Sequence, residues 1–288
     1  MLRRAARWSF RNRSPTRSNG VLDDGEAEPA FAAEALTCLR NCTSPSRWPS
    51  STRTRCRRRI ARCSASSARR SPSLRETYAA MAAATPGAYS PDAGPAGRRA
   101  LKSVCLGYLM EARDGPGRQL CRRQFDTAEN MTDALAALTL LANIEDGAGD
   151  AALAAFYAQW QNEPLVVDKW FAVQARSRRA GALMPQLIGH PAFDRRNPNK
   201  IYALLGAFGA NQQAFNSADG AGYRLLADEI IAIDDINPLV AARLARAFDR
   251  FKRFDSARQA HARAALEGIR GKPGLSKDTA EVVGKALA

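Results

Sequence analysis

Residues 197–254 read NPNKIYALLGAFGANQQAFNSADGAGYRLLADEIIAIDDINPLVAARLARAFDRFKRF, and this stretch decides the fold class. Asn197-Pro198 opens it with a helix-start pair: Asn accepts hydrogen bonds from the first turn, and Pro has no amide hydrogen to leave unpaired. Ile201, Leu204, Leu205 and Phe208 follow at helical spacing, and Gly209 is placed to end that helix in a left-handed cap. Asp219-Gly220 reads as a turn. Tyr223, Leu226, Ile230 and Ile233 then mark a second helix, and Asn237-Pro238 repeats the start signal. Val240, Leu244, Phe248 and Phe251 form a third apolar stripe, with Arg243, Arg246 and Arg250 along one flank. Three capped helices with no strand pattern between them predict an all-α antiparallel array.

The rest of the chain extends the pattern. Helices are predicted from Leu74 to Ala84, around Leu101 to Tyr108 after a Pro/Gly loop at 86–97, and from Gln119 to Ala128. Others are capped by Asn130, run from Ala152 to Gln161, start at Pro164, and span Ala180 to Gly189. Asp255 caps a helix to Arg270, Gly271 and Pro273 stop it, and Ser276 caps the last. Pairs of this length, stacked in order, predict a solenoid-like, HEAT-like superhelix without a strict sequence repeat.

Charge divides the chain. The net +15 is concentrated in residues 1–75, which hold 17 Arg, no Lys and five acids; the remaining 213 residues carry only +3. The high isoelectric point therefore describes the head, residues 1–73, and not the predicted helical body, residues 74–288. Residues 38–73 contain no acid and are dominated by Arg, Ser, Cys, Thr and Pro. They read as a nucleic-acid arm, as a disordered linker, or as translation out of frame. The third reading is favoured, because family-like sequence (AEPAFAAEALT) stops before this stretch and resumes after it (LRETYAAM). The first nineteen residues have the composition of a transit peptide without the apolar core of a secretory signal, or of a start upstream of a gene fragment; a cytoplasmic location is expected. No apolar run is long enough to span a bilayer.

Six cysteines are present. Cys38, Cys42, Cys56 and Cys63 lie in the Arg/Ser-rich head without a second close Cys or His pair to complete a zinc site, and Cys105 and Cys121 sit at apolar helical positions. The two histidines, His190 and His261, are 71 positions apart. His190 reads as a helix-end residue meeting terminal carbonyls, and His261 as part of an exposed helix. Trp160, Trp170 and Phe171 read as core or domain-interface aromatics, and Asn211 to Gly222 as a polar loop long enough for an interdomain contact.

Several segments in order (NMTDALAAL at 130–138, VVDKWFAVQA at 166–175, NPNKIYALLGAF, AFNSADGAGY, and INPLVAARL followed by FKRFDSARQ) resemble the C-terminal helical domain of aminopeptidase N, the bacterial alanyl aminopeptidases of the zinc gluzincin kind. The resemblance covers about Leu74 to Ala288. It implies a helical domain that closes over a catalytic domain and lines a chamber admitting peptides. The family's zinc motif, His-Glu-x-x-His, places two imidazoles one turn apart on a helix, with its Glu as base. That motif and the family's Gly-x-Met-Glu-Asn segment are absent from this sequence. The resemblance thus implies a truncated fragment without a catalytic residue or metal site of its own, with zinc belonging to the complete enzyme and its catalytic and N-terminal domains as partners. Arg243 matches a position at which the family presents Arg toward the chamber, where a guanidinium holds a peptide carboxylate; a solvated basic face is the plain alternative. Leu239, one turn earlier, stands where some relatives carry a polar residue. Tyr202 is a second chamber candidate, or an interhelical core residue. Two other readings remain open: a free-standing helical scaffold binding peptides or proteins, and a nucleic-acid binder acting through the head. Neither a membrane nor nucleic acid is the expected partner.

Overall fold

The computed structural model describes residues 28–41, 71–84, 89–111, 115–145 and 147–288. All regular structure among these residues is helical. The Arg/Ser-rich stretch from 42 to 70, the first nineteen residues, Cys42, Cys56 and Cys63, and the out-of-frame reading lie outside them; of Cys38 only the helical backbone is described. The described residues form two compact units, one up to residue 133 and one from residue 134 onward.

In the first unit, α1 (Pro29–Asn41), α2 (Ser71–Ala83) and α3 (Ala93–Glu111) pack together, and α4 (Gly115–Asp126) packs on α3. Ala32, Ala33 and Leu36 of α1 bury with Leu74 of α2 and Leu101, Cys105 and Leu109 of α3. The compositional boundary at residue 73 therefore does not match the packing. Apolar side chains at helical spacing in 29–36 carry this part of the head into a core, while the Arg/Ser composition that set the boundary lies later. The expected Pro/Gly loop at 86–97 is also shorter. Ser90 and Asp92 interact at the entry to α3, and Pro95 is tolerated in its first turn. Cys105 and Cys121 are fully buried, and burial pushes both thiols up to about 12, so they behave as small apolar residues. At the end of this unit Asn130 caps α5 (Met131–Leu141) by accepting from the Asp133 amide at 2.9 Å, and Lys102 reaches the Asp133 carboxylate at 2.7 Å.

The second unit continues with α6 (Ala148–Trp160), α7 (Pro164–Ala175), α8 (Ala180–Ile188) and α9 (Pro198–Ile201). The last of these runs through a π-helical turn, Tyr202–Gly206, into α10 (Ala207–Ala210). After α11 (Gln212–Phe215) come α12 (Ala221–Asp234) and α13 (Pro238–Ala245), which passes into a 3-10 helix at Arg246–Arg253, and then α14 (Ser256–Arg270) and α15 (Lys277–Leu287). Contacts run both along and across the series: α12 packs on α13 and α14, and α13 packs on α15. Like helices thus stack on like, which is the solenoid-like, all-α arrangement that the apolar stripes predict.

Gly209 does not end its helix in a left-handed cap. The chain stays helical to Ala210 and exits through extended Asn211. A Cβ at Gly209 would come within 3.0 Å of the Ala247 Cβ, so the residue is small because two segments cross there. Gly220 is the left-handed turn, at φ 69°. A mostly edge-to-face cluster of Phe208, Phe215, Tyr223 and Phe248 builds the core of this part of the unit, with centroids 5.0 to 6.2 Å apart.

Candidate functional site

Two N-terminal caps position the residues singled out by sequence. Asn197 accepts from the Asn199 amide at 2.9 Å, and Lys200 is fixed in the next turn by the Pro164 carbonyl at 3.0 Å and Asp168 at 2.7 Å. The helix then widens into its π turn, which begins at Tyr202; Leu204 and Leu205 are buried, and Tyr202 is half-buried. Such one-turn π segments recur at functional sites because they re-aim a side chain within a helix. On α13, Asn237 accepts from the Val240 amide at 3.2 Å. Val240, Ala241, Leu244 and Ala245 then face the core, which turns Leu239 and Arg243 outward, one helical turn apart.

The structure brings the two chamber candidates together. The Arg243 guanidinium carbon lies 5.1 Å from the centroid of the Tyr202 ring. Stacking on the aromatic face orients a guanidinium without using its N–H fork. No carboxylate pairs with Arg243 among the described residues, which leaves its donors open to a ligand or to water. Leu239, 71% exposed, adds an apolar border on the same helix, and the half-exposed Ile236 lies in the turn that leads into it. The face can therefore hold an anionic oxygen beside apolar surface.

Arg246 and Arg250 do not continue this face as one α-helical stripe. The backbone tightens to a three-residue repeat at Arg246, so Phe248 and Phe251 remain buried while Arg250 is rotated away from the line through Arg243. Arg246 makes a long, exposed contact to Asp249 at 3.5 Å.

The histidines lie elsewhere in this unit. His190 sits among aromatic rings, 4.9 Å from Tyr157, 5.2 Å from Trp170 and 5.8 Å from Phe171. Its Nδ1 accepts from the Ala192 amide at 3.1 Å, so the ring meets a backbone N–H rather than the terminal carbonyls expected. Burial lowers its pKa, which keeps it neutral near pH 7. His261 is not fully exposed either; it packs over Gly220, where a Cβ would lie 2.5 Å from the imidazole. Trp170 and Phe171 are core residues, with Trp170 Nε1 donating to the Leu153 carbonyl at 2.9 Å, and Trp160 is half-buried. The 211–222 loop is held within its own unit. Asn211 donates to the Ala175 and Ser177 carbonyls at 3.0 and 2.8 Å, and Arg258 donates to the Asn216 carbonyl at 2.8 Å.

Sequence reasoning missed the hub at Asp234. Its buried carboxylate accepts from Ser276 Oγ at 2.5 Å, the Ser276 amide at 3.0 Å, Thr279 Oγ1 at 2.6 Å and Lys272 Nζ at 3.3 Å. Burial alone would raise its pKa, but the hydrogen bonds from Ser276, Thr279 and Lys272 outweigh that and hold it below the usual carboxylate range. The only sequence signal was the Ser276 cap; its partner lies 42 residues earlier.

No group of three His, Cys, Asp or Glu side chains suited to a metal occurs among the described residues. With His190 and His261 each occupied in packing, the described residues do not fit a zinc site.

A family model described as "Domain of unknown function (DUF3458_C) ARM repeats" matches residues 6–288. The chain belongs to this ARM-repeat family. It is 41% identical to aminopeptidase N of Haemophilus influenzae over 192 residues, covering 66% of this chain and 22% of that protein. Aminopeptidase N of Escherichia coli is 40% identical over 194 residues, again with 66% and 22% covered, and that of Caulobacter vibrioides is 40% identical over 206 residues, with 70% and 24% covered. A crystal structure of Legionella pneumophila aminopeptidase A in complex with aspartic acid superposes with a TM-score of 0.83 at 29% identity, covering 96% of this chain and 34% of that one. These findings bear out the resemblance to the helical domain of aminopeptidase N. The chain spans less than a quarter of the length of the aminopeptidase N relatives.

Proposed function

We propose that this chain is the C-terminal helical domain of a zinc-dependent aminopeptidase N, closing over a catalytic domain and lining the path by which peptides reach it. The identity of about 40% to three aminopeptidases N, together with the shared fold, supports this reading. Zinc and the proton-transfer groups belong to the catalytic domain. This chain supplies positioning: Arg243, stacked on Tyr202, offers its guanidinium fork to the carboxylate of a bound peptide, with Leu239 as apolar border. Without its catalytic partner the chain is inactive.

The test is to compare the wild-type domain and Arg243→Ala, each combined with a catalytic portion, on peptides carrying a free or an amidated C-terminus. Loss of one exposed charge-assisted pair is expected to raise KM for the free acid by roughly five- to tenfold, with kcat nearly unchanged. KM for the amide should stay the same. An equal change for acid and amide would show that Arg243 supports the fold and does not read the carboxylate.

A further inference from the structure

A second cationic feature of the same unit lies apart from the Tyr202–Arg243 pair. The 3-10 helix Arg246–Arg253 forms one wall of an open groove of about 490 Å³, and the segment from Gly209 to Asn216 forms the other. Ligand clefts commonly hold roughly 300–1,000 Å³. Phe215, Phe251 and Phe254 give the groove an apolar floor; Arg246, Arg250 and Asp249 give it a polar edge. Residues 243–253 contain five cationic side chains and one carboxylate. Arg246 is only loosely held by Asp249, and no carboxylate pairs with Arg250 among the described residues. An eight-residue 3-10 run is itself unusual, because its hydrogen bonds are poorer than those of an α-helix. Here the three-residue repeat lets Phe248 and Phe251 stack inward while Arg246 and Arg250 stay at the rim.

We propose that this groove binds an acidic peptide segment in extended form. At about 2 Å per residue, Arg246 and Arg250 are separated by about 8 Å along the helix axis. The three-residue repeat also turns them about 120° apart, so their long side chains reach carboxylates of an extended peptide, about 6.6 Å apart at alternate positions, from two sides. The phenyl floor accommodates the peptide's apolar surface. Asp249 can accept the N–H groups of a peptide backbone, donors that a phosphodiester backbone lacks. That acceptor favours an acidic polypeptide over a polyphosphate.

The full chain is titrated into a fluorescein-labelled hexapeptide with Glu and Ala alternating, its Gln-for-Glu counterpart, and a labelled single-stranded oligonucleotide. Affinities are measured by anisotropy for wild type, Arg250→Gln, the Arg246→Gln/Arg250→Gln pair, and, as a control, Arg270→Gln, an exposed cation outside the groove. Thermal unfolding checks that each variant retains its fold. Binding of the Glu peptide should exceed that of the Gln peptide, fall about five- to tenfold in Arg250→Gln and further in the double variant, and stay unchanged in Arg270→Gln. Binding to the Arg-rich head is unaffected by these substitutions, so the difference between variants isolates the groove. Equal affinity for the two peptides, or no loss in the double variant, overturns the proposal. Oligonucleotide binding that is tighter than peptide binding and lost in the double variant reassigns the groove to nucleic acid. A loss in Arg270→Gln as large as in Arg250→Gln shows only a diffuse charge effect and overturns the proposal.

Discussion

Gly220 shows at residue scale how one position is over-determined. Its φ of 69° is a conformation that Cβ-bearing residues reach only with strain, and the imidazole of His261 occupies the space a Cβ would fill. Gly220→Ala is expected to destabilise the chain by about 1–3 kcal/mol, read as a lower urea midpoint with unchanged slope. The same change at Gly268, which has open space around it and lies inside α14, should be neutral or stabilising. Asp234 makes a pH prediction. Its folded pKa is depressed, so the unfolded chain binds a proton more readily. The stability it contributes is complete above the unfolded value of about 3.9 and declines as pH falls through the folded value. Asp234→Asn should therefore lower stability at neutral pH and flatten the acid limb of a stability-against-pH curve. A limb of unchanged steepness would show that other carboxylates govern it. Arg243 and Tyr202 were nameable from sequence only through the family resemblance. Nothing in their spacing, 41 positions apart, indicates that a guanidinium stacks on a ring. Asp234 was invisible for the same reason, since its partners lie on distant helices.

At the scale of elements, the caps were legible because they are local. Asn197, Asn237, Asp255 and Ser276 each accept a first-turn amide from within three residues, so side-chain chemistry and spacing suffice to find them. Asn237→Ala should cost about 1 kcal/mol by removing the cap of α13, the helix that carries Arg243; a shift below a few tenths would show that Pro238 alone starts it. The departures from α-helical geometry were not legible. The π turn at Tyr202 and the 3-10 run at Arg246 satisfy tertiary packing, and an apolar stripe at threes and fours fits α, π and 3-10 backbones alike. Gly209 was misread because a helix-ending glycine and a crossing-point glycine look identical in one sequence. The first unit shows the limit of composition. A single boundary at residue 73 followed the Arg count, whereas Ala32, Ala33 and Leu36 follow the helical period and join the core.

For the whole molecule, stacked helix pairs, membership of the ARM-repeat family and likeness to aminopeptidases agree with one another. No helix among the described residues is long and apolar enough to cross a membrane. The acid-free stretch between residues 38 and 73 carries its own prediction. Translating the alternate frames of the gene there should restore family-like helical sequence between AEPAFAAEALT and LRETYAAM, and the out-of-frame reading fails if neither frame does. The proposed role makes this chain one part of a two-part catalytic machine. Its most direct test is hydrolysis of an alanyl chromogenic substrate, with zinc present, by the purified chain, by a separately produced catalytic portion, and by their mixture. The chain alone should be inactive, and the mixture should exceed the catalytic portion by a wide margin. Activity of the chain alone, or a mixture no better than the catalytic portion, would contradict it.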